Sequence, residues 1–315
     1  MKKALLSFLF FFCTGAFGQS WPAKPVHIIV PFPPGGITDI LARLMAAKLG
    51  DAWGQSVIVE NRVGASGNIG VAQVAKSAPD GYTFLVTSTS IAVNATLNAN
   101  PGYDVEKDFV PVINLASSPN MIITNEAGPK TLRELIDKSR ANGLIYGSAG
   151  AGTTPHLTAE YLFKNLAGLK VTHVSYKGAA PAVTAALSGE VVAVSVAMTT
   201  AVPHVKSGKL RGLAVTSRAR MAVLPEVPTV QEAGFAGFED YTWVGMFAPA
   251  GTPRQIVSKM NIDANAFLAG GEVRERLAGL AFDPIGGSPG SFASYLKQEV
   301  AKWARVIKET GAKIE

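Results

Sequence analysis

Three times along this chain a short apolar run ends in a glycine- and proline-rich turn that opens a helix, and this repeated unit restricts the fold more than any other feature. The first runs Ile28-Ile29-Val30-Pro31-Phe32-Pro33-Pro34-Gly35-Gly36-Ile37-Thr38-Asp39. The second is Gly147-Ser148-Ala149-Gly150-Ala151-Gly152-Thr153-Thr154-Pro155-His156-Leu157, and the third is Tyr176-Lys177-Gly178-Ala179-Ala180-Pro181-Ala182. Between them, β-branched runs at 26–30, 57–60, 83–87, 171–174, 191–196 and 211–216 read as strands apolar on both faces. Helical patterns at 37–49, 68–77, 131–140, 155–166 and 181–187 alternate with them. The expectation is an α/β fold with mostly parallel sheets.

The end of the chain is mainly helical. Thr252-Pro253 and Ser288-Pro289 each read as a cap followed by proline at the first helical position. Phe292, Leu296, Val300, Trp303 and Ile307 then form an apolar stripe for packing on a sheet, with Lys297, Lys302, Arg305 and Lys308 as the solvated side. Extended stretches at 109–115 with 121–124, and at 241–248, look like crossings between two lobes, and such a cleft is a common place for a small-molecule site. A length of 315 residues agrees with roughly two domains.

Composition removes other classes. With 48% hydrophobic residues and a net charge of only +6, the chain is not disordered. It has no Lys/Arg run interleaved with aromatics, which disfavours nucleic-acid binding. The N-terminus is a basic Met1-Lys2-Lys3, an apolar run from Leu5 to Cys13 broken only by Ser7, and small Ala16 and Gly18 ahead of Gln19. This is the layout of a secretory signal peptide cut near Gly18, so the mature protein is expected to be exported. The single Cys13 would leave with it; a lipid-acceptor role would need small residues before it, where Phe10, Phe11 and Phe12 stand.

Each turn has two readings. Gly, Ser, Thr and Pro begin many helices for folding reasons alone. They also bring unpaired main-chain N–H groups and a positive dipole end close to an anion, with glycine removing the Cβ from the way. Three such turns at the carboxyl ends of strands favour a ligand role, because open α/β sheets bind there. The chemistry is capture of a carboxylate by neutral donors: Gly35 and Gly36 at the first turn, Ser148, Gly152 and Thr153 at the second, Gly178 at the third. Asp39, if turned inward, would hold a water or accept from a ligand hydroxyl. Thr154 reads as the cap of its helix. Thr87-Ser88-Thr89-Ser90 is either a polar strand end or a further donor set.

No catalytic or metal set stands out. His27, His156, His173 and His204 lack metal-ligand spacing, and neither a G-x-S-x-G elbow nor a phosphate-binding glycine motif is present. His156 is either a helix-start histidine bonded to nearby backbone or a base. Lys177 offers its charge to a carboxylate or is solvated; Tyr176 walls a pocket or packs in the core.

Pro31-Phe32-Pro33-Pro34-Gly35-Gly36-x-x-Asp39, Glu60-Asn61-Arg62-x-Gly64-Ala65-x-Gly67-Asn68-Ile69-Gly70, Ala78-Pro79-Asp80-Gly81-Tyr82-Thr83, Gly147-Ser148-x-Gly150-x-Gly152-Thr153-x-x-His156-Leu157, Tyr176-Lys177-Gly178 and Ala248-Pro249-Ala250-Gly251-Thr252-Pro253 together resemble the tripartite tricarboxylate transporter receptors, the Bug-type periplasmic solute-binding proteins. The resemblance covers nearly the whole mature chain. It implies a two-lobed, type II-like periplasmic-binding-protein fold, with 19–123 plus 241–315 as one lobe and 124–240 as the other. It implies a monomer without cofactor that closes on a small carboxylate and delivers it to a membrane permease, rather than an enzyme. Signalling to a sensor protein and exported hydrolase or lyase chemistry are the competing functions. By resemblance, Gly35 and Gly36 form the first-lobe clamp with Ser88 and Asn94 beside them. Ser148, Gly152, Thr153 and His156 form the second-lobe cradle, and Tyr176, Lys177 and Gly178 the next motif. One departure is that relatives carry Phe-Asp-Asn where this chain has Ser195, Val196 and Ala197. Without a pocket Asp to meet an ammonium, the far end of the ligand is expected to be less polar than an amino acid, aromatic or aliphatic.

Overall fold

The structure, a computed structural model, describes residues 21–311, so the reading of residues 1–18 and of Cys13 lies outside the described residues. The first stretch runs β1 (Val26–Val30), α1 (Ile37–Trp53), β2 (Val57–Asn61), α2 (Asn68–Ala75), β3 (Thr83–Ser88), α3 (Ser90–Leu97) and the 17-residue β4 (Phe109–Asn125). The second runs α4 (Leu132–Asn142), β5 (Leu144–Ser148), α5 (Thr154–Glu160) continued by a wider π turn (Tyr161–Leu166), β6 (Val171–Ser175), α6 (Ala179–Ser188), β7 (Ala193–Ala197), α7 (Met198–Lys206) and β8 (Leu210–Val215). The chain then returns through β9 (Tyr241–Pro249), α8 (Arg254–Ala269), α9 (Gly271–Gly279), β10 (Asp283–Gly286) and α10 (Pro289–Thr310).

The strand order is β2-β1-β3-β9-β4-β7-β5-β6, with β8 and β10 also paired to β4. The expected parallel pairs occur on both sides, β1 between β2 and β3 and β5 between β6 and β7. The centre is antiparallel instead: β9 runs against β3 and β4, and β4 against β7 and β8. β4 pairs with β9 from Phe109 to Pro119 and then with β7 from Asn120 onward, so a single long strand passes from one sheet into the other. Each part has its own core, Ile28, Phe84 and Met246 among the first-sheet residues and Tyr146, Phe163 and Leu213 among those of the second. The result is two lobes joined through crossing strands.

Several element boundaries differ from the sequence expectation. Thr153 caps α5 and Thr154 is its first helical residue. Pro253, expected inside the first turn of α8, is its cap, and the Thr252 hydroxyl donates to the Pro249 carbonyl instead of the helix. Ser288 does cap α10, accepting from the Ser291 amide. Lys302, expected among solvated charges, reaches Glu299 at 3.3 Å and Asp240 at 3.7 Å. The strand β5 and the helices α3 and α7 had no clear signal. β5 carries Gly147 inside it, α3 is rich in β-branched residues, and α7 contains Pro203. Packing between neighbours overrides weak local propensity there.

Candidate functional site

The turns after β1 and β5 face one another across the cleft. Phe32, Pro33, Gly36, Ile37, Thr38, Ser88 and Thr242 line one wall, and Ala149, Thr153, Thr154, Pro155, Ala179 and Ala197 the other. No charged side chain belongs to this lining. Gly36, Thr153, Gly178 and Ala197 are the caps of α1, α5, α6 and α7, and none of these four starts carries a side-chain cap. Among the described helices only α4 and α10 have side-chain caps, from the Thr131 and Ser288 hydroxyls; α2, α3, α8 and α9 are uncapped as well, so what sets the four apart is that their starts meet at one cleft. First-turn amides have no partner inside their own helix, so four sets of oriented donors converge on one space. Thr154 adds a hydroxyl that is buried, lines the cleft and has no partner.

Behind the second wall lies the scaffold of its turn. The Gly152 amide donates to His156 Nδ1 at 3.2 Å, so that nitrogen carries no proton, and Thr153 Oγ1 donates to the Gly150 carbonyl at 2.7 Å. His156 stacks on His173 with ring centroids 4.0 Å apart. Ser148 is fully buried, 2.7 Å from His173 Nε2, and accepts from the Gly150 amide. Burial pushes the His156 imidazole down to about 4 and, together with the neighbouring His156, pushes His173 down to about 3. Both are therefore neutral at pH 7, and they hold the turn in shape rather than supply a cation.

The other sequence-derived candidates fall into three groups. Gly36, Ser88 and Thr153 line the cleft. Ser88 shares a hydrogen bond with Ser90 at 3.0 Å, and Asn94 lies just behind, its Nδ2 donating to the Ser66 carbonyl while Oδ1 has no partner and faces Gly152. Asp39 is buried but turned into its own loop: it accepts from the Gly35 amide, Arg43 and Asn61. Burial alone would raise its carboxyl, but these hydrogen bonds outweigh that and hold it below the usual carboxylate value. Gly35 is exposed with its amide occupied in this way. Tyr176, Lys177 and Gly178 line a second, outer groove with Pro33, Ser66 and Gly150. There Tyr176 donates to Glu190 at 2.8 Å and Lys177 is exposed. Gly178 sits so close to Pro33 that a Cβ would come within 2.7 Å of its ring.

In the segment that departs from relatives, strand alternation sends Val196 into the second-lobe core, while Ala197 reaches the cleft. Val196 is thus not the pocket-facing residue; Ala197 is. Thr38, Thr154 and Ala179 stand within the turns already read from sequence and Ala197 within the departing segment, but Thr242 had no local signal. Among the described residues no three His, Cys, Asp or Glu side chains cluster as metal ligands.

A family profile described as the tripartite tricarboxylate transporter family receptor matches residues 41–312. Protein BugT of Bordetella pertussis (strain Tohama I) is 38% identical over 305 residues, covering 94% of this chain and 92% of that protein. Among solved structures, the R. palustris protein Rpa4515 with adipate is 38% identical with a TM-score of 0.90, covering 93% of this chain and all of that one. MatC from Rhodopseudomonas palustris with bound malate is 32% identical with a TM-score of 0.86, covering 91% of this chain and all of that one.

Proposed function

Because this chain belongs to the tripartite tricarboxylate transporter receptor family, whose members are solute-binding proteins, we propose that it captures a small carboxylate by closure of its two lobes. It works in the periplasm as a monomer, after removal of residues 1–18, and delivers its ligand unaltered to a tripartite-type permease. The lobes correspond to 19–123 with 241–315, and to 124–240. The partner change of β4 beside the start of β9 supports that division.

The observation that carries the reading is the convergence of four uncapped helix starts on a cleft without a charged lining residue. A carboxylate fits such a place. Each helix end contributes about 0.3–1 kcal/mol, rising to about 2 kcal/mol when partly buried, so several together hold an anion without arginine. The open volume is about 40 Å³, room for a few water molecules, so entry requires the lobes to part. Adipate and malate in the two R. palustris relatives agree with an aliphatic acid. No lining carboxylate is available to an ammonium group, so aspartate and glutamate bind more weakly than the corresponding acids without the amine.

Calorimetric titration with four- to six-carbon aliphatic and aromatic acids and their uncharged amides tests this. The expected result is one site per chain, occupied by an acid and not by its amide, with the acid recovered unchanged. Equal binding of acid and amide, or conversion of the acid, refutes it.

A further inference from the structure

The cleft has a second polarity, set by a chain of side chains that ends at the crossing strands. Thr242 lines the cleft and is 3% exposed. Its Oγ1 donates to Asn120 Oδ1 at 2.8 Å. The amide nitrogen of Asn120 donates in turn to Asp240 Oδ2 at 2.9 Å and to Thr158 Oγ1 at 3.4 Å, and Thr158 itself donates to Asp240 Oδ2. The direction of the whole chain follows from the carboxylate. An ionised Asp only accepts, so Asn120 must turn its NH₂ toward Asp240 and its carbonyl toward Thr242. Turning the amide over would set its carbonyl oxygen against the carboxylate and leave Thr242 facing two donors.

The proton of Thr242 is therefore spoken for, and what its oxygen offers the cleft is lone pairs. The helix-start amides and the Thr154 hydroxyl can donate, whereas the Thr153 hydroxyl on the opposite wall, like that of Thr242, has its proton committed, here to the Gly150 carbonyl. We propose that Thr242 is a specificity-determining residue which accepts a hydrogen bond from the ligand, that Asp240 is the positioning residue which makes it an acceptor, and that the preferred ligand is a hydroxylated carboxylate. This rests on the carboxylate reading above and adds the class of acid. A hydroxyl suits the place better than an ammonium, because the cleft lining holds no carboxylate. A site built around such a group discriminates against the analogue that lacks it, because the acceptor is then buried without a partner.

The test compares matched pairs by calorimetry: malate with succinate, 3-hydroxybutyrate with butyrate, and 4-hydroxybenzoate with benzoate. The native protein is expected to bind the hydroxylated member of at least one pair tenfold or more tightly than its partner. Thr242→Val brings that ratio to within twofold. Asp240→Asn, whose amide can donate to Asn120 and release the Thr242 proton, also lowers the ratio, although Thr242 is untouched. A merely structural role for Asp240 would weaken both members equally and leave the ratio unchanged. Ratios within twofold for all pairs in the native protein, or a ratio that survives in Thr242→Val, overturn the proposal while leaving carboxylate capture standing. Binding of none of the six acids overturns both.

Discussion

Lowering the pH should loosen the second lobe through the stacked imidazoles, and the size of the effect follows from their burial. His156 is 5% exposed, and its imidazole is held down at about 4; His173 is held at about 3. An unfolded histidine titrates near 6.5, so the fold favours the neutral ring. The stabilisation is complete above about pH 6.5 and is lost as the pH falls toward the folded values. Between pH 7 and pH 5 this linkage costs about 2 kcal/mol per ring. Asp240 works the other way. Burial raises its carboxyl to about 6 despite Lys302, so its contribution grows as the pH drops through 6 and returns about 1 kcal/mol over the same interval. The net loss from the three groups is about 2–3 kcal/mol. Asp39 and Glu60, both lowered, add their losses only at more acidic pH. The informative variant is His156→Asn, whose Oδ1 can still accept from the Gly152 amide but does not titrate. It is less stable at pH 7, by about 2–3 kcal/mol for the lost ring, yet its further loss on going to pH 5 is smaller than that of the native protein by about 2 kcal/mol. Urea unfolding at the two pH values, with unchanged m-values, measures both. Equal losses in the native protein and the variant would refute the reasoning, since His156 would then not be a ring kept neutral by burial.

Three further outcomes follow from the cleft and the N-terminus. Thr154→Val removes the buried hydroxyl without a partner; carboxylate affinity measured by calorimetry should fall about tenfold, the worth of a hydrogen bond to a charged group, with stability changed by less than about 1 kcal/mol. Gly152→Ala adds a Cβ 2.6 Å from Asn94 Oδ1 and 3.0 Å from Leu97 at a φ of +73°, which should hold the lobes apart and cut affinity at least tenfold. Gly168→Ala, at a φ of +66° with nothing within 4 Å, carries a similar backbone cost and should leave affinity intact, a contrast that separates lobe closure from local strain. Edman sequencing of protein recovered from the periplasm should begin at Gln19; an intact Met1 there would refute the cleavage reading.

What could be read from the residues in order was whatever depends on near neighbours. Glycine followed by a helix start makes oriented amides wherever it occurs, so the turns after β1 and β5 were legible as helix starts with free amides, and the apolar stripe of α10 was legible as a packed face. The third turn, Tyr176-Lys177-Gly178, has the same local chemistry but follows β6, the outermost strand of the second sheet, and so lies on the outer groove while Ala179 reaches the cleft. Asp39 illustrates the same limit: a first-turn acid was legible, but its capture by Gly35, Arg43 and Asn61 required the neighbouring strand β2 to supply Asn61. The contacts that set the polarity of the cleft lie further from sequence reasoning still. Asn120 meets Asp240 and Thr242 across 120 and 122 residues of chain. They are neighbours only because β4 and the start of β9 cross between the lobes side by side, and hydrogen-bond direction along such a chain is decided by which groups meet, not by what each residue is alone.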